Sequence, residues 1–409
     1  MTSGGGLADT RVLAGSGRAG TAGGVVAVLL TCVMAFSMMQ LYLLGALGPR
    51  LVAQLGISRT ELGLTTTAGF GTAALLSPLA GRLVDRVGPR RCVVALLLLA
   101  AVSLALIGAA PDAAVLLGAV ALGGLPQALA NPATNKVILA SFDPGQRAVV
   151  TGWKQSGVQF GAFLAGLPLS LLAAALGWRG AVWVAAGAAA VAAAWAVRAL
   201  PAEAPAVLSA DRSAGAKGAR GGLVGRLTVF SLLLGCGVAS VNTYLALFGT
   251  QRLGLSAALA ALPVAVLGLS GIAGRVGWTR DANRAGRAEV LLTTLSLGAV
   301  GAALLLAAAV LVHPLVWPGA AAVGVFAVSA NAVSMVLVIR GPAPGRAGQD
   351  SAIVSAGFFA GFAVGPPLFG LMVSVAGYGP GWLLVAGEFA GAAAVTASLA
   401  ARRGRAAAR

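Results

Sequence analysis

The sequence predicts an all-α membrane protein in which twelve transmembrane helices form two pseudo-symmetric bundles of six. The 409-residue chain has a mean hydropathy of +0.92 and is 58% hydrophobic and 10% charged. Soluble domains are about half apolar and about a quarter charged. Nearly the whole chain divides into apolar runs of about 20 residues, the length that a helix needs to cross a bilayer. Two charge-dense segments, Gly81–Arg91 and Gly274–Arg284, begin 193 positions apart (274 − 81) and suggest an internal duplication.

The order of the apolar runs defines the elements. Two blocks, 92–138 and 288–339, are too long for one crossing, and Pro111-Asp112 and His313-Pro314 divide them into helical hairpins. The predicted spans are 23–46, 61–80, 92–110, 113–138, 149–173, 178–198, 223–249, 256–276, 288–311, 315–339, 351–375 and 381–400. The predicted organisation is a disordered cytoplasmic tail at 1–22, an N-terminal bundle at 23–198, a polar cytoplasmic linker at 199–222, a C-terminal bundle at 223–400 and a basic cytoplasmic tail at 401–409.

The net charge of +17 reports topology rather than a nucleic-acid partner. With the N-terminus assigned to the cytoplasm, the outer side receives only four basic residues: Arg50, Arg59, Arg179 and Arg252. The other 24 of the 28 lie on or near the inner side, as the positive-inside rule requires. We therefore expect a multi-pass protein of a bacterial inner membrane, with both termini in the cytoplasm. A basic nucleic-acid binder would instead gather these charges on one soluble face.

The two halves also align outside the charged segments. Gly157 and Gly161 of the fifth span correspond to Gly357 and Gly361 of the eleventh, 200 positions later (357 − 157). Gly177-Trp178 corresponds to Gly377-Tyr378 at the same offset. A constant offset at several places indicates a true duplication, which is common in secondary transporters.

These features carry a family resemblance. Six plus six spans, a basic central linker and the segment Gly81-x-x-x-Asp85-Arg86-x-Gly88-x-Arg90-Arg91 resemble the major facilitator superfamily over essentially the whole chain. Pro89 departs from the usual basic residue, and the second-half copy is degraded. The resemblance implies a secondary transporter that works by alternating access, with the first, fourth, seventh and tenth helices lining a central cavity.

Under this resemblance the first charged segment is a gating motif made of Gly81, Asp85, Arg86, Gly88, Arg90 and Arg91. We expect a tight surface loop with glycines at the helix ends. Asp85 is expected to accept hydrogen bonds from the N-terminus of the eleventh helix near Ser351, where the helix dipole favours an anion. The alternative for Arg90 and Arg91 is that they only anchor the topology beside anionic lipid.

Amide side chains mark the candidate substrate surface, because polar groups inside a membrane are costly and commonly functional. Three of them recur at i, i+4 and i+8 on one face of the fourth span. The candidate substrate-binding residues are Gln40, Tyr42, Gln127, Asn131, Asn135, Lys154, Gln155, Gln159, Asn242, Tyr244 and Asn331. Hydrogen bonding between helices is the alternative for each single amide.

Lys154 is the most specific of these candidates. The chain contains three lysines, at positions 136, 154 and 217, and this one falls inside a predicted span without an acidic neighbour in sequence. A compact cation in that position predicts a counter-charge for an anionic substrate. The alternative is that Lys154 extends its ammonium group to the inner surface. Lys136, at the inner end of the fourth span, is expected to anchor the topology.

Carboxylates are nearly absent from the spans, which bears on proton coupling. Glu388 in the twelfth span is the one deeply placed acid, so it is the candidate proton carrier, with a neutral or internally paired carboxyl as the alternative. The fourth span lacks the buried arginine, and the fifth the Gly-Pro pair, of proton-coupled drug exporters in the resembling family. A classical multidrug antiporter is therefore disfavoured.

The predicted function is secondary active transport of a small polar or anionic solute, by a protein that is not an enzyme. One histidine and no Cys/His cluster leave no catalytic or metal-ligating set. Efflux of amphipathic compounds or drugs is the alternative, followed by a non-transporting sensor on the same fold. We expect a monomer in a lipid bilayer, a small-molecule substrate, no nucleic acid and no cofactor.

Overall fold

The computed structural model describes residues 9–200, 221–283, 288–339 and 347–407, and this part of the chain is helical with short turns. Helices lie on either side of the gap at 201–220, and most of the predicted linker falls within this gap, outside the described residues. The N-terminal half contains α1 (Asp9–Leu55), α2 (Arg59–Val87), α3 (Pro89–Ala109), α4 (Ala113–Leu122), α5 (Gly124–Ser141), α6 (Pro144–Leu164), a π-helical turn (Ala165–Leu169) and α7 (Ser170–Ala199).

The C-terminal half repeats this arrangement. It contains α8 (Gly221–Gln251), α9 (Ala257–Asn283), α10 (Ala288–Ala308), a 3-10 turn (His313–Leu315), α11 (Val316–Ala322), a π-helical segment (Val323–Val328), α12 (Ser329–Ile339), α13 (Ala347–Ala376) and α14 (Tyr378–Ala407). The fourth and tenth predicted spans are thus each built from more than one helical segment.

Two boundaries differ from the sequence prediction. The helix α1 begins at Asp9, within the stretch predicted as a disordered tail, and α14 continues to Ala407 through the predicted basic tail. The Gly81–Arg91 segment is not a loop, because α2 continues to Val87 and α3 begins at Pro89. Only Gly88 interrupts it, with φ of 98°. Ser58 caps α2 at its other end in a capping box with Glu61.

Ten segments of the described chain are long and apolar enough to cross a membrane. One of them, Val149–Ala199, has 51 residues and would extend about 76 Å as a straight helix, more than twice the hydrocarbon core. Gly177, with φ of 72°, breaks it into two crossings. The 29-residue helix α2 lies outside these ten segments. Dividing the long segment and adding α2 accounts for the predicted twelve.

The aligned glycines explain how each half is held together. Gly157 and Gly161 of α6 lie against the backbone of α1 at Thr31 and Ala35. Their counterparts Gly357 and Gly361 lie against α8 at Thr228 and Leu232. Small residues let helices approach closely, which provides packing energy where water supplies no hydrophobic drive. The glycines that align at an offset of 200 positions therefore make the same kind of contact in each half, with the first helix of that half.

One set of contacts between the two halves lies at one end of the bundle. We call this the outer end, following the charge bias, and define it by the turns at 56–58, 110–112 and 252–256; the inner end carries Gly88 and the turn at 142–143. At the outer end Thr66 and Thr243 share a hydrogen bond of 3.0 Å, and the Tyr244 hydroxyl donates to the Arg59 carbonyl. The described conformation is thus closed at its outer end.

A proline break contributes to this closure. Pro367 has no N–H, so the carbonyl of Ala363, four residues earlier in α13, loses its helical partner. Thr67 of α2 donates its hydroxyl to that carbonyl at 2.5 Å. Phe70 packs on Phe362, about one and a half turns inward of Pro367, with ring centroids 4.6 Å apart. The sequence feature that breaks α13 therefore also provides a contact to the other half.

Arg179 ties two outer turns together, and its removal is expected to destabilise the fold. Its Nη1 donates to the carbonyls of Gly108 and Ala110, each at 2.8 Å, and its guanidinium lies 4.5 Å from the centroid of the Trp178 ring. These carbonyls are the unpaired acceptors at the end of α3. We expect Arg179→Ala to cost about 1–3 kcal/mol, seen as a lower Tm in detergent. Arg252→Ala, on the exposed turn after α8, is the control, and equal Tm values for the two variants would contradict the prediction.

Candidate functional site

Lys154 of α6 lies against the amide stripe of α5. Its side chain is fully buried, so the prediction that it extends to the inner surface is wrong. The Nζ donates to Asn135 Oδ1 at 2.7 Å and to Asn131 Oδ1 at 3.3 Å. Gln155 Nε2 also donates to Asn131 Oδ1, at 3.2 Å. The i, i+4 spacing on α5 is what lets both asparagines face the same ammonium group. We call Lys154, Asn131, Asn135 and Gln155 the inner cluster.

The inner cluster carries a positive charge that no carboxylate neutralises within the described part of the chain. Two amide oxygens are weak compensation for a buried ammonium, since a buried ion ordinarily needs a partner of opposite charge. An ammonium group has three N–H donors, and two are used here. Asn135 is exposed and Asn131 is half-buried, so the cluster is within reach of solvent. The arrangement can accept an anion at the third donor.

Arg275 brings a second cation from the other half, and the sequence reasoning missed it. Arg275 lies within the predicted eighth span, 256–276, and within α9, which continues to Asn283. Its Nη1 donates to the Gln155 carbonyl at 2.9 Å. The signal that could have found it is the run Gly268, Gly271 and Gly274, whose i, i+3 spacing predicts one close-packed helix face.

Tyr42 and Gln159 lie between the two halves. Gln159 Nε2 donates to the Tyr42 hydroxyl at 3.4 Å, and the Gln159 side chain lies over Gly271 of α9. Both side chains are buried. The two predicted residues are therefore brought together, at the face where α1 and α6 meet α9.

Gln40 belongs to a different place from the inner cluster. The helices α1 and α6 run parallel, with Gly157 beside Thr31 and Gly161 beside Ala35. Gln40 therefore lies about 13 Å further outward than Thr31. It lines a small cavity between α1, α2, α4 and α8, whose polar wall is Gln40, Thr65, Thr66 and Thr243. In the described conformation the candidate substrate-binding residues therefore form separate inner and outer groups.

The remaining amides are buried or partly buried without converging on Lys154. The two amide atoms of Gln127 have no partner in the described part of the chain, nor does Oδ1 of Asn331. Asn242 donates to the Val238 carbonyl of its own helix at 2.7 Å. Tyr244 uses its hydroxyl to contact Arg59 at the outer closure. Its observed contact is thus with the opposite half, at a distance from the inner cluster.

The charged motif makes contacts within the N-terminal half. Asp85 forms an ion pair with Lys136 of α5, and both side chains are about half exposed. This is its contact among the described residues; the expected partner near Ser351, at the start of α13, lies where side chains are outside the described part of the structure. Arg90 donates to the Val197 carbonyl at 2.5 Å, near the end of α7. A basic residue at a helix C-terminus satisfies orphan carbonyls and complements the dipole.

The other motif residues are placed as follows. Gly81 lies inside α2, with no atom near its hypothetical side chain, so the prediction that it forms a turn is wrong. Arg86 is exposed in the last turn of α2. Arg91 is exposed and has a contact. Glu388 of α14 is buried at mid-helix, with Oε2 enclosed and without a hydrogen-bond partner in the described chain.

Comparisons with known proteins agree with this architecture. The Major Facilitator Superfamily model matches residues 30–349. A bacterial homolog of the human lysosomal transporter Spinster is similar in two inward-facing crystal structures. The occupied structure has 17% sequence identity and a TM-score of 0.69, and the match covers 92% of this chain and 96% of that chain. The unoccupied structure has 16% identity and a TM-score of 0.66, and the match covers 91% of this chain and 93% of that chain.

A third similar structure is a mutant of the nucleoside transporter NupG, with 14% identity and a TM-score of 0.71, covering 91% of this chain and 99% of that one. Similarity at such identities indicates a shared fold and carries no information on substrate. The search of curated proteins found no match.

Proposed function

Because the chain belongs to the major facilitator superfamily, we propose that it is a secondary active transporter that moves a small polar or anionic solute by alternating access. The same proposal places it in a bacterial inner membrane as a monomer, with both termini in the cytoplasm. That it is a multi-pass membrane protein of a transporter family follows from the family and its apolar helices.

The observation that carries the proposal is the buried ammonium of Lys154, which is held by asparagine oxygens and lacks an anionic partner in the described chain. A transporter gains specificity from polar groups that are left under-satisfied until the substrate binds. An anion reaching Lys154 can accept from the remaining N–H donor and from the neighbouring amides. The positive charge favours an anion over a neutral solute or an amphipathic cation.

Alternating access gives the second line of support. The described conformation is closed at the outer end by contacts between α2 and α13 and between α1 and α8. The inner cluster, with Asn135 exposed, lies towards the opposite end. A solute that binds there reaches the outer side only if the outer contacts separate, which is the cycle expected of two related bundles.

The proposal is tested by a solute screen in inside-out and right-side-out vesicles. The probes are acetate, lactate, succinate, inorganic phosphate, uridine, glucose and the cationic dye ethidium. We expect one or more anions to move with the wild type, and Lys154→Ala and Asn131→Ala to abolish that movement. Arg252→Ala is the control, because this exposed cation lies on the turn after α8, outside both the inner cluster and the charged motif.

Two outcomes would reject the anion assignment: normal anion movement in Lys154→Ala, or movement of ethidium alone. The second would favour efflux of amphipathic compounds. The orientation is tested separately by single cysteines in the 201–220 linker. Their reaction with an impermeant reagent added outside would reverse the assigned topology.

A further inference from the structure

Glu388 lies deep in the membrane-spanning part of α14. The helix begins at Tyr378, so Glu388 is about 15 Å from the outer end. The segment Tyr378–Ala401 is apolar enough to span a membrane. The Glu388 side chain is 9% exposed, and its Oε2 is fully enclosed without a hydrogen-bond partner in the described part of the chain.

No described cation faces this carboxyl group from the helices that contact α14. From α8 the titratable neighbour is Cys236, whose thiol interacts electrostatically with Glu388. Arg226 of α8 lies ten positions from Cys236, about 15 Å away, at the inner end of that helix. From α13, the residues 357–376 contain no titratable side chain.

The third neighbour, α10, is placed by the hydrogen bond between Thr293 and Thr396 at 3.1 Å. The two helices run antiparallel, so Glu388, eight residues outward of Thr396, is level with Gly301. Glu289, the acidic residue of α10, lies in the first turn of that helix, about 18 Å inward of Gly301. An ionised Glu388 is therefore unsupported, and burial favours its neutral acid form.

The surroundings of Glu388 connect it to the outer closure. Gly365 of α13 lies directly against the backbone of Cys236, one residue before Pro366. The same α8 carries Thr243, which bonds Thr66, and the same α13 carries Ala363, which accepts from Thr67. Two of the three helices that contact α14, α8 and α13, are thus the ones that close the outer end against the N-terminal half.

We propose that Glu388 is a proton-binding site whose protonation favours closure of the outer end, so that proton binding is coupled to the transport cycle. The coupling to a cycle rests on the proposed function. In the step, a hydronium ion gives its proton to the Glu388 carboxylate and becomes water. In the reverse step the acid returns the proton to water on the side then accessible. The neutral acid is compatible with the enclosed position, whereas the carboxylate favours a conformation in which it reaches water.

The first test is infrared spectroscopy of the purified full chain in lipid during a pH titration, with protons as the probe. We expect a carbonyl band of a protonated carboxylic acid that persists at neutral pH and is lost in Glu388→Gln. Glu289→Gln is the matched control: its carboxyl is equally buried but has a partner, so the band should remain. A band that is absent from the wild type or unchanged in Glu388→Gln overturns the proposal.

The second test measures closure without any solute. Thr66→Cys places a thiol in the outer cavity, and its reaction with an impermeant maleimide from outside reports opening. We expect the rate of this maleimide reaction to increase with pH in both proteins, because the thiol itself deprotonates. The increase should be steeper in Thr66→Cys, which retains Glu388, than in Thr66→Cys combined with Glu388→Gln. Equal pH dependence overturns the proposal. Neither the infrared band nor the maleimide reaction depends on a transported solute. A failed vesicle screen would therefore reject the transport function, while these two measurements would still decide whether Glu388 is a proton site.

Discussion

Substitution of Gly45 by valine is expected to stop transport by preventing closure of the outer end. A side chain at Gly45 of α1 would overlap the backbone carbonyl of Asn242 on α8 and lie 3.4 Å from Cα of Thr243. These are backbone atoms of the opposite half, so the collision is relieved only by separation of the halves. A penalty of about 3 kcal/mol on the closed state reduces turnover about 100-fold. The measurement is transport in proteoliposomes of the anion found in the vesicle screen.

The matched control is Gly24→Val on the same helix, where a side chain meets no atom within 4 Å. It should transport like the wild type. A second readout separates a blocked gate from misfolding: in Gly45→Val the Thr66→Cys thiol, buried in the parent, should react quickly with an impermeant maleimide from outside. Wild-type transport together with an unreactive thiol would contradict the assignment of α1 and α8 to the outer closure.

Lys154→Met is expected to change stability and transport in opposite directions. Methionine keeps most of the volume and removes an ammonium group that is buried without a described carboxylate partner. Replacing buried charge by well-packed apolar groups commonly stabilises proteins by about 1–4 kcal/mol. Asn135 can turn to solvent, and Asn131 keeps its bond to Gln155. The Tm in detergent should therefore rise.

Transport of the anion should meanwhile fall by about 30- to 150-fold, since a charge-assisted hydrogen bond contributes about 2–3 kcal/mol to its binding. Arg252→Met serves as the control, because Arg252 is an exposed cation on the turn after α8, outside both the inner cluster and the charged motif; neither its Tm nor its transport rate should change much. A lower Tm for Lys154→Met would show that the ammonium group is a structural tie between α5 and α6. Loss of transport together with a raised Tm would instead show that the Lys154 ammonium group serves transport and lowers the stability of the protein.

Whether the sequence could predict a site residue's contact depends on how far its partner lies along the chain. Asn131 and Asn135 belong to one span, and their i, i+4 spacing predicted that they share a face. Lys154 belongs to the next span, and its contact with that face appears only in the structure. Tyr244 contacts Arg59, 185 positions away, and Gln159 bonds Tyr42, 117 positions away. No local pattern specifies such pairs. Arg275 lies inside the predicted eighth span, but its bond to Gln155 of the other half joins residues 120 positions apart.

The sequence by itself determined the membrane class, the order and approximate bounds of the crossings, the duplication and the inner bias of charge, because these depend on hydropathy and on spacing along one chain. The tertiary structure alone decided that Gln40 lines an outer cavity, that Asp85 pairs with Lys136, and that Glu388 is enclosed without a described partner. The direction of a side chain around its helix, and the group that it meets there, depend on how distant helices pack. In a bilayer that packing follows the placement of small residues, whose contacts appear only when the halves are assembled.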